Sequence, residues 1–195
     1  MKIILASGSP RRAEILRNAG ILFEIRSTQI DETALPGEPA QALVARLAEE
    51  KARTAAVKMG PGKCECIFLG ADTTVELDGE MLGKPRDAPH ARQMLAKLSG
   101  RTHHVHTGLF LIRLPGNATR AAVESSAVTF APMSETEIDA YAGSCEPLDK
   151  AGGYAIQGLA GRYIRRIEGC YFNVVGLPLA RLYAILRELG WREEK

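Results

Sequence analysis

The chain has no apolar run approaching the roughly 20 residues that a membrane-spanning helix requires, so no membrane role is expected. It also lacks an excess of charge of one sign. Lysine and arginine number 25 against 23 aspartate and glutamate, a net charge of +2. That balance gives no basic footprint for general nucleic-acid binding. Cysteine is scarce, with four in 195 residues. Cys64 and Cys66 are separated by one residue, and Cys145 and Cys170 stand alone. Zinc sites usually show two spaced pairs, so free, reduced thiols are expected. The apolar run before polar Ser7, Ile3 to Ala6, is only four residues long, too short for a signal peptide, and a cytoplasmic location is the expectation. Internal repeats and low-complexity linkers are missing. So are Gly-x4-Gly-Lys-Ser/Thr, Gly-x-Gly-x-x-Gly after the first strand, and the Gly-x-Ser-x-Gly elbow.

What remains is a globular chain, 46% hydrophobic, long enough for one large domain or two small lobes. Its start is the most informative stretch. Ile3 to Ala6 is the size of a buried strand, and Ser7-Gly8-Ser9 is a loop of small residues. Pro10 then opens an amphipathic run in which Ser9 reads as N-cap and Pro10 as first helical residue. A helix N-terminus after a tight loop favours an anion, and Arg11 and Arg12 add two forks suited to phosphate oxygens. A capped helix with two solvated arginines has the same pattern.

Further on, Ile21 to Ile25 reads as a short strand. Glu32, beside Asp31, sits in a loop, where it is either a metal-binding carboxylate or a solvated one. Pro39 opens a helix to about Lys58 with a stripe of Leu43, Val44, Leu47, Ala48, Ala52 and Ala55. Lys51 falls on that stripe, either snorkelling to solvent or reaching a cleft. A loop of breakers, Gly60 to Cys64, follows. Cys66 to Ala71 reads as a buried strand that ends at Asp72, with Thr73 next to it. A buried carboxylate needs a partner or a metal, which makes Asp72 the leading catalytic candidate, with a turn aspartate as the bland alternative. Asp78-Gly79 marks a hairpin, and Gly83-Lys84-Pro85 closes it with another cation.

Asp87 caps a helix over 88–98, and Ser134 to Glu137 is a capping box for a helix to about Ala142. Between them run two long strand-like stretches, His104 to Leu114 and Thr119 to Ala131. His104 and His106 share a strand face without a third partner at a telling spacing, so no histidine metal site is expected. The segment from Glu146 to Gly161 is dense in glycine and carries Gln157. Arg162 to Ile167 and Cys170 to Val175 read as a hairpin through Glu168-Gly169, and Pro178 opens a last helix. The tally is roughly six to eight strands and about five helices, with hairpins that make the sheet mixed.

These stretches together resemble the Maf family of nucleoside triphosphate pyrophosphatases. The resemblance rests on Ala6-Ser7-Gly8-Ser9-Pro10-Arg11-Arg12, Glu50-Lys51-Ala52, Gly70-Ala71-Asp72-Thr73, Gly83-Lys84-Pro85, Ser99-Gly100-Arg101-Thr102-His103 and Asp149 to Gly158. The pieces follow the family's order and cover nearly the whole chain. The resemblance implies an α/β fold with a mixed, elongated sheet flanked by helices, in two lobes with a central cleft, like inosine triphosphatase. It implies hydrolysis of a nucleoside triphosphate to the monophosphate and pyrophosphate, with a divalent cation, Mg or Mn. Asp72 matches the proton acceptor. Arg12, Thr73 and Gln157 match the positions that set substrate choice in the dTTP/UTP branch. Ala155 departs from the pattern, where a second glycine is common. A homodimer and a link to septum formation are expectations of the same kind.

The residue chemistry is consistent with that implication. Ser7, Ser9, Arg11, Arg12, Lys51 and Lys84 would gather the phosphates. Glu32 and Asp72 offer the oxygen ligands that a hard cation takes. Asp72 would take the proton of a metal-acidified water. Gln157 offers one acceptor and two donors, matching N3–H and O4 of uracil or thymine and mismatching cytosine. The competing expectations are an inosine triphosphatase-like purine house-cleaner and a non-catalytic nucleotide-binding regulator of division.

Overall fold

The structure, a computed structural model, describes residues 1–59, 65–144 and 146–192. The expected loop from Gly60 to Cys64 and the cysteines Cys64 and Cys145 lie outside the described residues. Cys170 is a free thiol. No helix among the described residues is long and apolar enough to cross a membrane.

The described elements are β1 (Lys2–Leu5), α1 (Pro10–Asn18), β2 (Phe23–Ile25), α2 (Ala40–Met59), β3 (Cys66–Leu77), β4 (Glu80–Leu82) and α3 (Ala88–Leu98). There follow β5 (Thr102–Leu114), β6 (Ala118–Phe130), α4 (Glu135–Ala142), β7 (Ile164–Glu168), α5 (Tyr171–Val175) and α6 (Leu179–Glu188). The seven strands form one sheet in the order β2-β1-β3-β5-β6-β7, with β4 paired to β3. β1 pairs in parallel with β2 and β3, whereas β3–β4 and β6–β7 are antiparallel. The mixed sheet expected from the hairpin signals is present.

The chain divides into two compact units. The first holds Met1–Asp72, Thr107–Glu124 and Gly176–Lys195, and the second Thr73–His106 and Ser125–Val175. In the first, the alanine-rich side of α2 (Ala48, Ala52, Ala55) packs with Ile4, Phe68, Phe110 and Ile112. Two glycines make that approach close. A Cβ on Gly70 of β3 would stand 2.0 Å from the Ala48 carbonyl oxygen, and one on Gly108 of β5 2.2 Å from that of Val44. Any side chain there would push α2 off the strands. The core of the second unit includes Val75, Leu95, Leu98, Phe130, Ile138, Tyr141 and Tyr154.

Local signals account for most boundaries. Asp78 and Gly79 both have positive φ (50° and 80°), the backbone that a two-residue hairpin loop demands. Asp87 accepts from the His90 amide at 2.8 Å and starts α3. The capping box of Ser134 and Glu137 is formed. Ser9 and Pro10 take the expected N-cap and first helical positions of α1, without a side-chain capping bond; the Ser9 amide donates to Ser7 Oγ at 3.2 Å. Two expectations need correction. Asp72 does not end a strand; β3 runs on through it to Leu77. The hairpin through Glu168-Gly169 does not form, because the residues after β7 turn into α5. Asn173 is the physical reason. Its side chain is fully buried and donates at 2.9 Å to both Val105 O and Ser126 Oγ, which ties the segment down as a helical turn.

Candidate active site

In the first unit the fold brings Lys51, Asp72 and Glu32 together. Lys51 lies one turn beyond Ala48 on α2, so the contact that Gly70 permits delivers its ammonium to β3 two residues later. Lys51 Nζ stands 2.6 Å from Asp72 Oδ1 and 2.6 Å from Glu32 Oε1. The side chains of Lys51 and Asp72 are only 8% and 14% exposed, and that of Glu32 is 52% exposed. A nearly buried lysine between two carboxylates is not a snorkelling side chain. It gathers two acidic groups at one spot.

Glu32 arrives on a loop that α2 itself anchors. Arg46 grips Glu38 with Nε on Oε1 and Nη2 on Oε2, both at 2.7 Å, and Nη2 also donates to Thr33 O at 3.1 Å. The Leu35 amide adds a bond to Glu38 Oε2 at 3.0 Å. With Arg46 foremost and Leu35 behind it, the Glu38 carboxyl is held down at about 2. Nothing in the sequence pattern marks this bidentate grip.

Ser7 and Arg12 lie in the same unit, and both are buried. Arg12 turns inward. Its Nε donates to Gly176 O at 2.8 Å, and its Nη1 to Ser7 Oγ at 3.0 Å and Ala71 O at 2.8 Å. Burial lowers the guanidinium from its ordinary value, against the pull of Asp72 and Glu32 and with the help of Arg11. Arg12 thereby fixes the carbonyl immediately before Asp72. Ser9 and Arg11 are partly buried at the start of α1.

The second unit carries Thr73, Lys84 and Gln157. Thr73 follows Asp72 on β3. Lys84 and Gln157 are exposed, and their segments are tied together by the Gly152 amide, which donates to Gly83 O at 3.0 Å. That bond depends on Gly152 and Gly153, with φ of 71° and 68°. A Cβ on Gly152 would also come within 3.2 Å of three Val75 side-chain atoms. Just beyond, the loop holding Gln157 is gripped by Tyr141 and Glu146, two residues that the sequence reading passed over. His103 is buried against Tyr154, while His104 stacks on His106 with 6.0 Å between ring centroids. No group of three or more metal-ligating His, Cys, Asp or Glu side chains occurs among the described residues.

The two carboxylates on Lys51 nevertheless suit a hard divalent cation. Magnesium typically uses one or two carboxylates, completing its shell with water and substrate phosphates. Glu32 and Asp72 already converge on one cationic nitrogen, so their oxygens fit such a site.

The fold class is α/β with a mixed seven-stranded sheet. The solved Staphylococcus aureus Ham1 protein shares that fold, at a TM-score of 0.51 and 15% identity over 96% of this chain and 99% of that one. A model of the Maf-like protein family matches residues 2–189, and the chain belongs to the Maf family. A dTTP/UTP pyrophosphatase of Anaeromyxobacter sp. (strain Fw109-5) is 49% identical over 192 residues, covering 97% of this chain and 90% of that protein. Another, from Carboxydothermus hydrogenoformans, is 46% identical over 191 residues, covering 98% and 100%.

Proposed function

We propose that the chain is a nucleoside triphosphate pyrophosphatase that hydrolyses dTTP and UTP to the monophosphate and pyrophosphate. The observation that carries this reading is the buried Lys51, with Asp72 and Glu32 each 2.6 Å from its ammonium. Its near full-length relatives named dTTP/UTP pyrophosphatase support the choice of substrate.

Breaking the anhydride between the α and β phosphates requires a positioned water, a proton acceptor and neutralised phosphate charge. Asp72 takes the proton of the attacking water, held in place by Lys51 and by the Arg12-anchored Ala71 carbonyl beside it. Glu32 and Asp72 would hold a Mg or Mn ion, which when bound neutralises phosphate charge and acidifies water. The Ser7–Ser9 loop and the N-terminus of α1, with Arg11 and Lys84, gather phosphate oxygens. Gln157 reads the base edge.

Pyrophosphate release over a panel of UTP, dTTP, CTP, ATP, GTP, ITP and 7-methyl-GTP, at matched Mg²⁺ or Mn²⁺, tests this. UTP and dTTP are expected at similar rates, because uracil and thymine present the same N3–H and O4 edge and differ by one methyl away from it. CTP and the purines should be much slower. Gln157→Glu removes the donor to O4 and should disfavour uracil and thymine. A wild-type preference for CTP, ITP or 7-methyl-GTP would overturn the assignment.

A further inference from the structure

Tyr141 and Glu146 have no place in the chemistry above, yet together they hold the segment that carries Gln157. Tyr141, on α4, is buried. Its hydroxyl donates to Glu146 Oε1 at 2.6 Å and accepts from the Ala155 amide at 3.1 Å. Glu146 Oε2 accepts from the Leu159 amide at 2.9 Å, and Oε1 from that of Ala160 at 3.4 Å. The loop is therefore pinned on both sides of Gln157, at 155 and at 159–160. Gly158 completes the arrangement. A Cβ there would stand 2.1 Å from Glu146 Oε2, so only glycine leaves room for the carboxylate. Its φ of −117° is open to any residue, so space, not backbone conformation, requires the glycine. Burial works against the Glu146 carboxylate, but the Tyr141 hydroxyl and the Leu159 and Ala160 amides outweigh it and hold the group below its ordinary value.

Gln157 itself is exposed, and no hydrogen bond fixes its amide among the described residues. Its direction is thus inherited from the backbone on either side. We propose that Tyr141 and Glu146 form a clamp that aims Gln157, which makes Glu146 a positioning residue for base choice. The proposal rests on Gln157 reading the base. An amide at the end of a fixed backbone discriminates by geometry, because a donor pointed at O4 meets a donor when cytosine enters. Loosening the backbone lets the amide adapt, and discrimination falls while the phosphate chemistry is untouched.

The test compares UTP and CTP kinetics in wild type, Gln157→Ala, Glu146→Gln and Tyr141→Phe. Both clamp variants remove hydrogen bonds and leave the remaining groups in place. Their UTP-over-CTP ratio of kcat/KM should fall by about two- to tenfold, the range that one or two hydrogen bonds support. The change should come mainly through a raised KM for UTP. Amide exchange should quicken at Ala155, Leu159 and Ala160. A merely structural role would lower activity on both nucleotides alike and leave the ratio alone. Gly158→Ala covers the case in which Glu146→Gln does not fold. It displaces the carboxylate, the far end of a flexible side chain, and should reproduce the relaxed ratio. A relaxed ratio in Gln157→Ala, with unchanged ratios in the clamp variants, would overturn the clamp alone. An unchanged ratio in Gln157→Ala would overturn the reading of Gln157 and the clamp with it.

Discussion

At the scale of single residues, Asp72 and Arg12 do different work from adjoining positions. Asp72 Oδ1 is held by Lys51 at 2.6 Å. Asp72→Asn keeps the shape but loses the proton acceptor. Turnover of UTP should fall by about 10²–10⁴, with nucleotide binding partly kept; a loss within about tenfold would show that another group takes the proton. Arg12 was legible as a cation near phosphates, but its inward direction was not, since the acceptors Ala71 O and Gly176 O are remote in sequence. Arg12→Ala leaves buried oxygens without donors and should cost about 2–3 kcal/mol of stability. That corresponds to a fall in Tm of about 5–10 °C for a chain of this size. Arg12→Lys should recover little of it, because an ammonium cannot reproduce the planar fork. An unchanged Tm with only a raised KM for UTP would place Arg12 on the substrate instead.

At the scale of elements, the contact of α2 with β3 and β5 decides whether the site exists. The stripe pattern put Lys51 on the inward side of α2, and the structure buries it there. The glycines that let the helix close in were visible as residues, but their purpose needed the pairing of helix to strand. Gly70→Ala puts a methyl where the Ala48 carbonyl oxygen stands. The helix must move out, and overpacking of this kind costs about 1–3 kcal/mol or more. The same movement separates Lys51 from Asp72. Gly70→Ala should therefore lower both Tm and kcat, whereas Gly108→Ala, farther along the helix from Lys51, should lower Tm with less effect on kcat. Equal kcat losses in the two variants would mean that α2 moves as a rigid rod. α5 shows the opposite case of legibility. Cys170 to Val175 is a short apolar run, and such a run cannot be assigned by periodicity alone. Asn173 decided it through two bonds to groups distant in sequence.

At the scale of the whole molecule, stability towards acid depends on a histidine that carries no chemistry. His103 is fully buried beside Phe130 and Tyr154, with Nε2 2.8 Å from the Tyr154 hydroxyl. Its Nδ1 has no hydrogen-bond partner among the described residues, so a protonated ring would carry a charged N–H with no acceptor. Burial foremost, with His104 adding a little, lowers its value from 6.5 to about 4. The unfolded chain thus binds a proton between those values that the folded chain refuses. The neutral ring's contribution is fully present above pH 6.5 and is lost as the pH falls through 4. For a shift of this size it amounts to at most about 3 kcal/mol. His106 is lowered too, by burial against the opposing charge of Glu76, and acts in the same direction. Urea unfolding of wild type and His103→Gln at pH 7 and pH 4 isolates the His103 share, because glutamine can still bond Tyr154 but does not titrate. The carboxylates form a common background in both proteins. The stability lost between the two pH values should be smaller in His103→Gln by about 2–3 kcal/mol. Equal losses would mean that His103 is protonated in the folded protein well above pH 4, and that the acid sensitivity lies in the carboxylates alone.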